Sequence, residues 1–145
     1  MNRHTIILIL LFLTSVTTYS QGRTTLTIEV TDLHNNNGVV QFSLYNTNNS
    51  IPDEHYEKYY KQTISTITNN SSKTTFKNLP EGEYAVNILH DEDSDGKIKK
   101  GWILPIEGIG FSNLTKINLL NLPSFKKTKF KLTENKEIKI KIIYL

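Results

Sequence analysis

From Thr25 to Thr31 the chain alternates. Leu26, Ile28 and Val30 face one way; Thr25, Thr27, Glu29 and Thr31 face the other. That period of two is the signature of a half-buried strand. Asp32 to Gly38 reads DLHNNNG, a turn of residues that tolerate positive φ. Val40, Phe42 and Leu44 then alternate with Gln41, Ser43 and Tyr45, and the two segments are expected to pair as an antiparallel hairpin. The rhythm breaks at Ser50–Lys61. Ser50 can cap, Pro52 fits a first turn, and Asp53 and Glu54 suit the positive end of a helix dipole, so a short helix is predicted near residues 52–61. Its Tyr56, Tyr59 and Tyr60 either pack that helix onto a sheet or form an exposed aromatic platform for a sugar or peptide. Strands are predicted again at Gln62–Thr68 and Lys73–Leu79. Glu83–His90 is the strongest central strand, with Tyr84, Val86, Ile88 and His90 on one face and Ala85, Asn87 and Leu89 on the other. A charged loop follows to Lys100, then an irregular stretch, Gly101–Leu122, punctuated by Gly and Pro. Strands at Thr128–Thr133 and Lys136–Tyr144 close the chain.

About seven strands and one short helix argue against βαβ units and a parallel sheet. Two antiparallel sheets packed face to face suit the pattern best, with a closed barrel as the alternative. Before these strands, Arg3 and His4 precede the apolar run Ile6–Leu13, and small polar residues follow. Such a segment is expected to be a secretory signal, cut after Ser20. It is far shorter than the about 20 apolar residues that a spanning helix needs. The organisation expected is therefore residues 1–20 as signal and 21–145 as a single domain, exported to the periplasm or beyond, with no transmembrane segment in the mature chain.

Composition narrows the chemistry. The 145 residues contain no cysteine, which excludes a disulfide scaffold, a thiol nucleophile and a Cys-ligated zinc. The formal charge is +3, too weak to argue for nucleic acid. Its distribution is uneven. Leu26–Asp95 holds eleven acids against four lysines, whereas Lys116–Leu145 holds eight lysines against two acids. Solvated strand faces and lysine protection of an edge strand explain the second block; a basic face meeting an anionic polymer or a membrane surface is the functional alternative.

The most informative segment is Asp91-Glu92-Asp93-Ser94-Asp95-Gly96-Lys97. Alternate acids can bring three carboxylates around one point, Gly96 permits a sharp turn, and the Lys97 carbonyl can add a fourth oxygen. Calcium takes six to eight oxygens in such arrangements. The twelfth position is Trp102, so the bidentate glutamate of an EF-hand is missing; Glu107 or Glu92 is the candidate substitute. The ion-free alternative is an acidic turn closed by Asx-type hydrogen bonds. His90 reads either as a metal ligand or acid–base group, or as a strand-end histidine bonded to a loop. His34 and His55 lack zinc spacing. No nucleophile elbow or phosphate loop is present.

The run LPEGEYAVNILHDEDSDGKI at 79–98, with EGIGFSN at 107–113, resembles the bacterial secreted proteins grouped as domain of unknown function 2141. LTIEVTDLHNNNGVVQFSLYN at 26–46 and PSFKKTKFKL at 123–132 are similar to its earlier and later parts. The resemblance implies a signal peptide followed by a small β-sandwich, immunoglobulin-like or transthyretin-like in style. It implies no activity. His90, Asp91, Gly96, Lys97, Glu107, Gly108, Gly110, Phe111 and Asn113 match the family's pattern. Asp93 and Asp95 stand where the family usually has asparagine, and Lys99 where it usually has aspartate.

The expectation is thus an all-β, antiparallel sandwich acting as a non-enzymatic binding or accessory module of the cell envelope. Its ligand would be an unidentified envelope or extracellular one, not nucleic acid. Asp91, Asp93, Asp95, Lys97 and Glu107 form the candidate calcium set; otherwise no cofactor is expected. The alternatives are a metal-assisted hydrolase using His90 and the same loop, and a purely structural envelope protein.

Overall fold

The computed structural model describes residues 22–98, 107–118 and 120–145. The expected signal segment lies outside them, as do Trp102 and much of the stretch after the charged loop. Eight strands are described: β1 (Arg23–Thr31), β2 (Val39–Tyr45), β3 (Lys61–Ser65), β4 (Ser72–Pro80), β5 (Gly82–Asp91), β6 (Gly108–Phe111), β7 (Phe130–Leu132) and β8 (Lys136–Lys141). One turn of helix, α1 (Phe125–Thr128), precedes β7. One sheet runs β4-β1-β8 and the other β3-β2-β5-β6, with β7 also on β5. The architecture is a β-sandwich. Every strand pair is antiparallel except β1 with β8, which is parallel.

The alternation read from sequence builds the layer between the sheets. Leu26, Ile28 and Val30 from β1 meet Val40, Phe42 and Leu44 from β2 and Tyr84, Val86 and Ile88 from β5, all buried. Each such apolar side chain removed from water contributes about 1.5–3 kcal/mol. The polar face of β1 is also used: Thr27 Oγ1 lies 3.2 Å from Thr75 Oγ1, and Glu29 pairs with Lys139 at 3.3 Å. Lysines 136, 139 and 141 line β8, an edge strand, where they discourage further pairing.

Three sequence expectations are corrected. First, β1 and β2 form no hairpin; they lie in different sheets. The turn between them is drawn away, because the Leu33 N–H bonds the Asn70 carbonyl and the His34 N–H bonds the Tyr144 hydroxyl. Both edges of β1 are then taken by β4 and β8. Second, residues 52–61 form no helix. Tyr56 adopts φ 52°, which breaks a right-handed turn. The Asp53 carboxylate, in place of backbone carbonyls, accepts the N–H groups of Glu57 and Lys58. Tyr56 packs inward, while Tyr59 and Tyr60 remain exposed. Third, β6 falls inside the stretch read as irregular. Its glycines mark close approach: a Cβ on Gly108 would sit 2.6 Å from the Tyr144 ring, and one on Gly110 3.0 Å from Ile140.

β5 is buried on both faces. Its outer face carries a second core, in which Tyr45, Ile51, Tyr56, Ala85, Leu89, Phe111 and Phe125 pack together under the loops that flank β2 and β6. This double burial makes β5 the rigid rail from which the acidic loop emerges.

Candidate metal centre

The acidic loop begins at Asp91, the last residue of β5, paired across to Val39 of β2. Asp91 is 1 % exposed. A buried carboxylate needs hydrogen bonds, and the loop's own backbone supplies them. Asp91 Oδ1 accepts the Asp95 N–H at 3.1 Å, and Oδ2 accepts the Gly96 N–H at 2.8 Å. The chain can curl back this tightly because Ser94 and Gly96 both take left-handed φ, 59° and 74°. Asp95 Oδ1 then accepts the Lys97 N–H at 2.8 Å.

Curling brings the alternate acids together. Asp91, Asp93 and Asp95 each offer a carboxylate oxygen, and these oxygens lie within 4.8 Å of one another. Asp91 is buried; Asp93 and Asp95 are exposed. The Asx-type turn and the clustered oxygens are therefore one geometry rather than rivals. A carboxylate oxygen that accepts one N–H keeps a further lone pair for a cation. The donor set is hard, anionic and oxygen-only, as calcium requires.

The other two predicted members are placed differently. Lys97, expected to offer its carbonyl, closes the turn through its N–H, a bond that does not involve that carbonyl. Glu107, buried just before β6, accepts the Glu92 N–H through Oε1 at 3.1 Å. It pins the start of the loop and does not join the three-carboxylate cluster.

His90 is wholly buried, facing the layer between the sheets. Its Nε2 lies 3.0 Å from the Asn37 carbonyl, which only accepts, so Nε2 carries the proton. In the neutral ring Nδ1 then accepts from the Tyr144 hydroxyl at 2.7 Å. That hydroxyl in turn receives the His34 N–H at 3.0 Å, and the Tyr144 ring stacks on His34 with centroids 3.4 Å apart. The strand-end reading of His90 describes this arrangement, with both ring nitrogens engaged.

Residues that sequence reasoning passed over hold the site. The 32–38 turn clamps the loop's base: Asn35 Nδ2 donates to Glu92 Oε2 at 3.1 Å, and Asn37 O holds His90. Gly38, at φ 67°, lies so close that a Cβ would fall 1.9 Å from the Asp91 carbonyl. The tolerance of DLHNNNG for positive φ was the available signal; its docking onto β5 was not visible locally.

The neighbouring 51–60 loop adds electrostatic context. Burial pushes the Tyr45 hydroxyl well above its usual range, and the Asp53 carboxylate beside it, which accepts its hydrogen bond at 3.1 Å, adds to this. Burial likewise raises Tyr56. The adjacent Asn87 side chain opposes that rise, while Asp53, Glu107 and Asp91 reinforce it. Among the described residues, the Tyr56 hydroxyl and Asn87 Oδ1 are each buried without a hydrogen-bond partner.

A family model described as an uncharacterized protein conserved in bacteria (DUF2141) matches residues 28–141. Comparison with curated proteins and with solved structures finds no match. Among the described residues no helix is long and apolar enough to cross a membrane.

Proposed function

The chain belongs to the bacterial family of domain of unknown function 2141, and from that premise we propose that it is an exported, non-enzymatic binding or accessory module of the cell envelope whose 91–97 loop is ordered by calcium. The observation that carries this reading is the convergence of the Asp91, Asp93 and Asp95 oxygens within 4.8 Å on a rigid strand end. Calcium would neutralise the clustered charge and hold the loop in one shape for recognition. No observation favours the hydrolase alternative, since His90, which it would use as a ligand or acid–base group, has both nitrogens committed to Tyr144 and Asn37.

The test is thermal unfolding of the processed chain with calcium or with a chelator. Calcium at a hundredfold its dissociation constant should stabilise by about 2.7 kcal/mol, and Asp93→Ala with Asp95→Ala should abolish the gain. A melting temperature indifferent to calcium in the unaltered chain would overturn the ion reading.

A further inference from the structure

Between Ser112, which bonds Val86 of β5, and Phe130, which pairs with Tyr84, the chain makes a long excursion from the sheet edge. Its tip exposes apolar side chains. Leu120 is 97 % exposed and Leu122 57 %. Single exposed leucines are ordinary on protein surfaces; two at the apex of an organised turn are not.

The turn is built rather than loose. The Asn121 N–H donates to the Asn118 carbonyl at 2.9 Å, and the Leu120 N–H to Asn118 Oδ1 at 3.0 Å. Asn121 Nδ2 bonds the Lys116 carbonyl at 2.7 Å, and Lys127 Nζ reaches both Asn121 Oδ1 at 3.2 Å and the Leu122 carbonyl at 3.0 Å. The Leu120 and Asn121 N–H groups and the Leu122 carbonyl, which would resist leaving water, are thus satisfied within the turn. The surroundings are cationic. Residues 108–133 include Lys116, Lys126, Lys127, Lys129 and Lys131 and no acid. Lys129 is paired with Glu83, whereas Lys116, through its carbonyl, and Lys127, through Nζ, are tied to the turn itself. Exposed leucines on a lysine-bearing turn match a surface with an apolar interior and anionic headgroups.

We propose that the Leu120–Leu122 tip inserts into an anionic lipid surface, with Lys116 and Lys126 resting at the headgroups. The acidic loop leaves β5 at Asp91, five residues beyond Val86, or about 17 Å along the strand. The tip contains none of the clustered acids Asp91, Asp93 and Asp95, so docking through it does not rest on the calcium reading.

The test is co-sedimentation of residues 21–145, which carry every described element, with equimolar phosphatidylglycerol–phosphatidylcholine vesicles and with phosphatidylcholine vesicles. Omitting residues 1–20 removes an apolar run that would itself partition into lipid. Binding should appear on the anionic vesicles and be unchanged by chelator. Leu120→Ser with Leu122→Ser should weaken it ~tenfold or more without moving the melting temperature, and Lys126→Glu should weaken it a few-fold. Any of three results overturns the proposal. One is no binding to anionic vesicles. Another is binding that the serine pair leaves intact, which would be charge adsorption alone. The third is a dimer in light scattering that the serine pair dissolves while vesicles stay unbound, which would make a second copy the occupant.

Discussion

Two loops of this protein start from the same device and end differently. At Asp53 a buried carboxylate accepts the N–H groups four and five residues ahead, Glu57 and Lys58. At Asp91 a buried carboxylate accepts the N–H groups four and five residues ahead, Asp95 and Gly96. The 53 loop is completed by a neutral donor, the Tyr45 hydroxyl, and sealed by Tyr56 over the outer core. The 91 loop is completed by more negative charge, since Asp93 and Asp95 turn toward the same point. A carboxylate whose partners are all N–H and O–H donors is a staple. A carboxylate that stands beside two more carboxylates belongs to an oxygen cluster of the kind hard cations bind. The difference lies in what surrounds the aspartate, not in how the backbone holds it.

The largest effect expected is from Asp53→Ala. It removes the acceptor of the buried Tyr45 hydroxyl and of two part-buried N–H groups, and the loss should be about 4 kcal/mol in a denaturant titration, identical with and without calcium. A calcium-dependent loss would merge the two loops into one site. Gly38→Ala should follow at about 3 kcal/mol, because its Cβ meets the Asp91 carbonyl and its φ is positive. Unlike Asp53→Ala, it should also blunt the calcium response, since it displaces the strand end that carries the cluster.

Much of this contrast was legible in the sequence, though unevenly. The faces of β1, β2 and β5 follow directly from alternation, because burial on one side enforces a period of two. The convergence of Asp91, Asp93 and Asp95 was also readable, since it depends on spacing within one loop. Partnership was not. Nothing local tells Val30 that its neighbours are Ser72 and Ile140 rather than the next strand in sequence. Asp53 misled because an acid behind a proline suits a helix start as well as an Asx-stapled loop, and only the Tyr45 hydroxyl on the adjoining strand decides between them. β6 was hidden because Gly108 and Gly110 read as breakers, whereas they are the residues that let β8 and Tyr144 close over the sheet.

Tyr45→Phe isolates the neutral partner that distinguishes the 53 loop. Removing one hydrogen bond to a buried carboxylate should cost about 1.5 kcal/mol at neutral pH. It also has a pH signature. The folded state holds the Tyr45 and Tyr56 hydroxyls protonated beyond their usual range, whereas the unfolded chain releases those protons near pH 10. Above that pH the folded state binds more protons than the unfolded one, so stability present below it falls as pH rises. Stability measured across the alkaline range should fall less steeply in Tyr45→Phe. An unchanged slope would mean that this hydroxyl ionises as easily in the fold as out of it.

The smallest effect sharpens the comparison most. Asp93→Asn with Asp95→Asn keeps side-chain oxygens in place, including the Oδ1 of residue 95 that holds the Lys97 N–H, and removes two charges. Both residues are exposed, so in chelator the variant should lie within about 0.5 kcal/mol of the unaltered chain. In calcium it should gain nothing, because neutral amide oxygens give up the charge that draws the ion out of water. Asp91 would then be the charged staple of its loop, as Asp53 is of the other, and the charges of the two outer acids would serve the ion. A loss above about 2 kcal/mol in chelator would instead class Asp93 and Asp95 with Asp53 as structural residues. The distinction drawn between the two loops would then fail at the residues on which it depends.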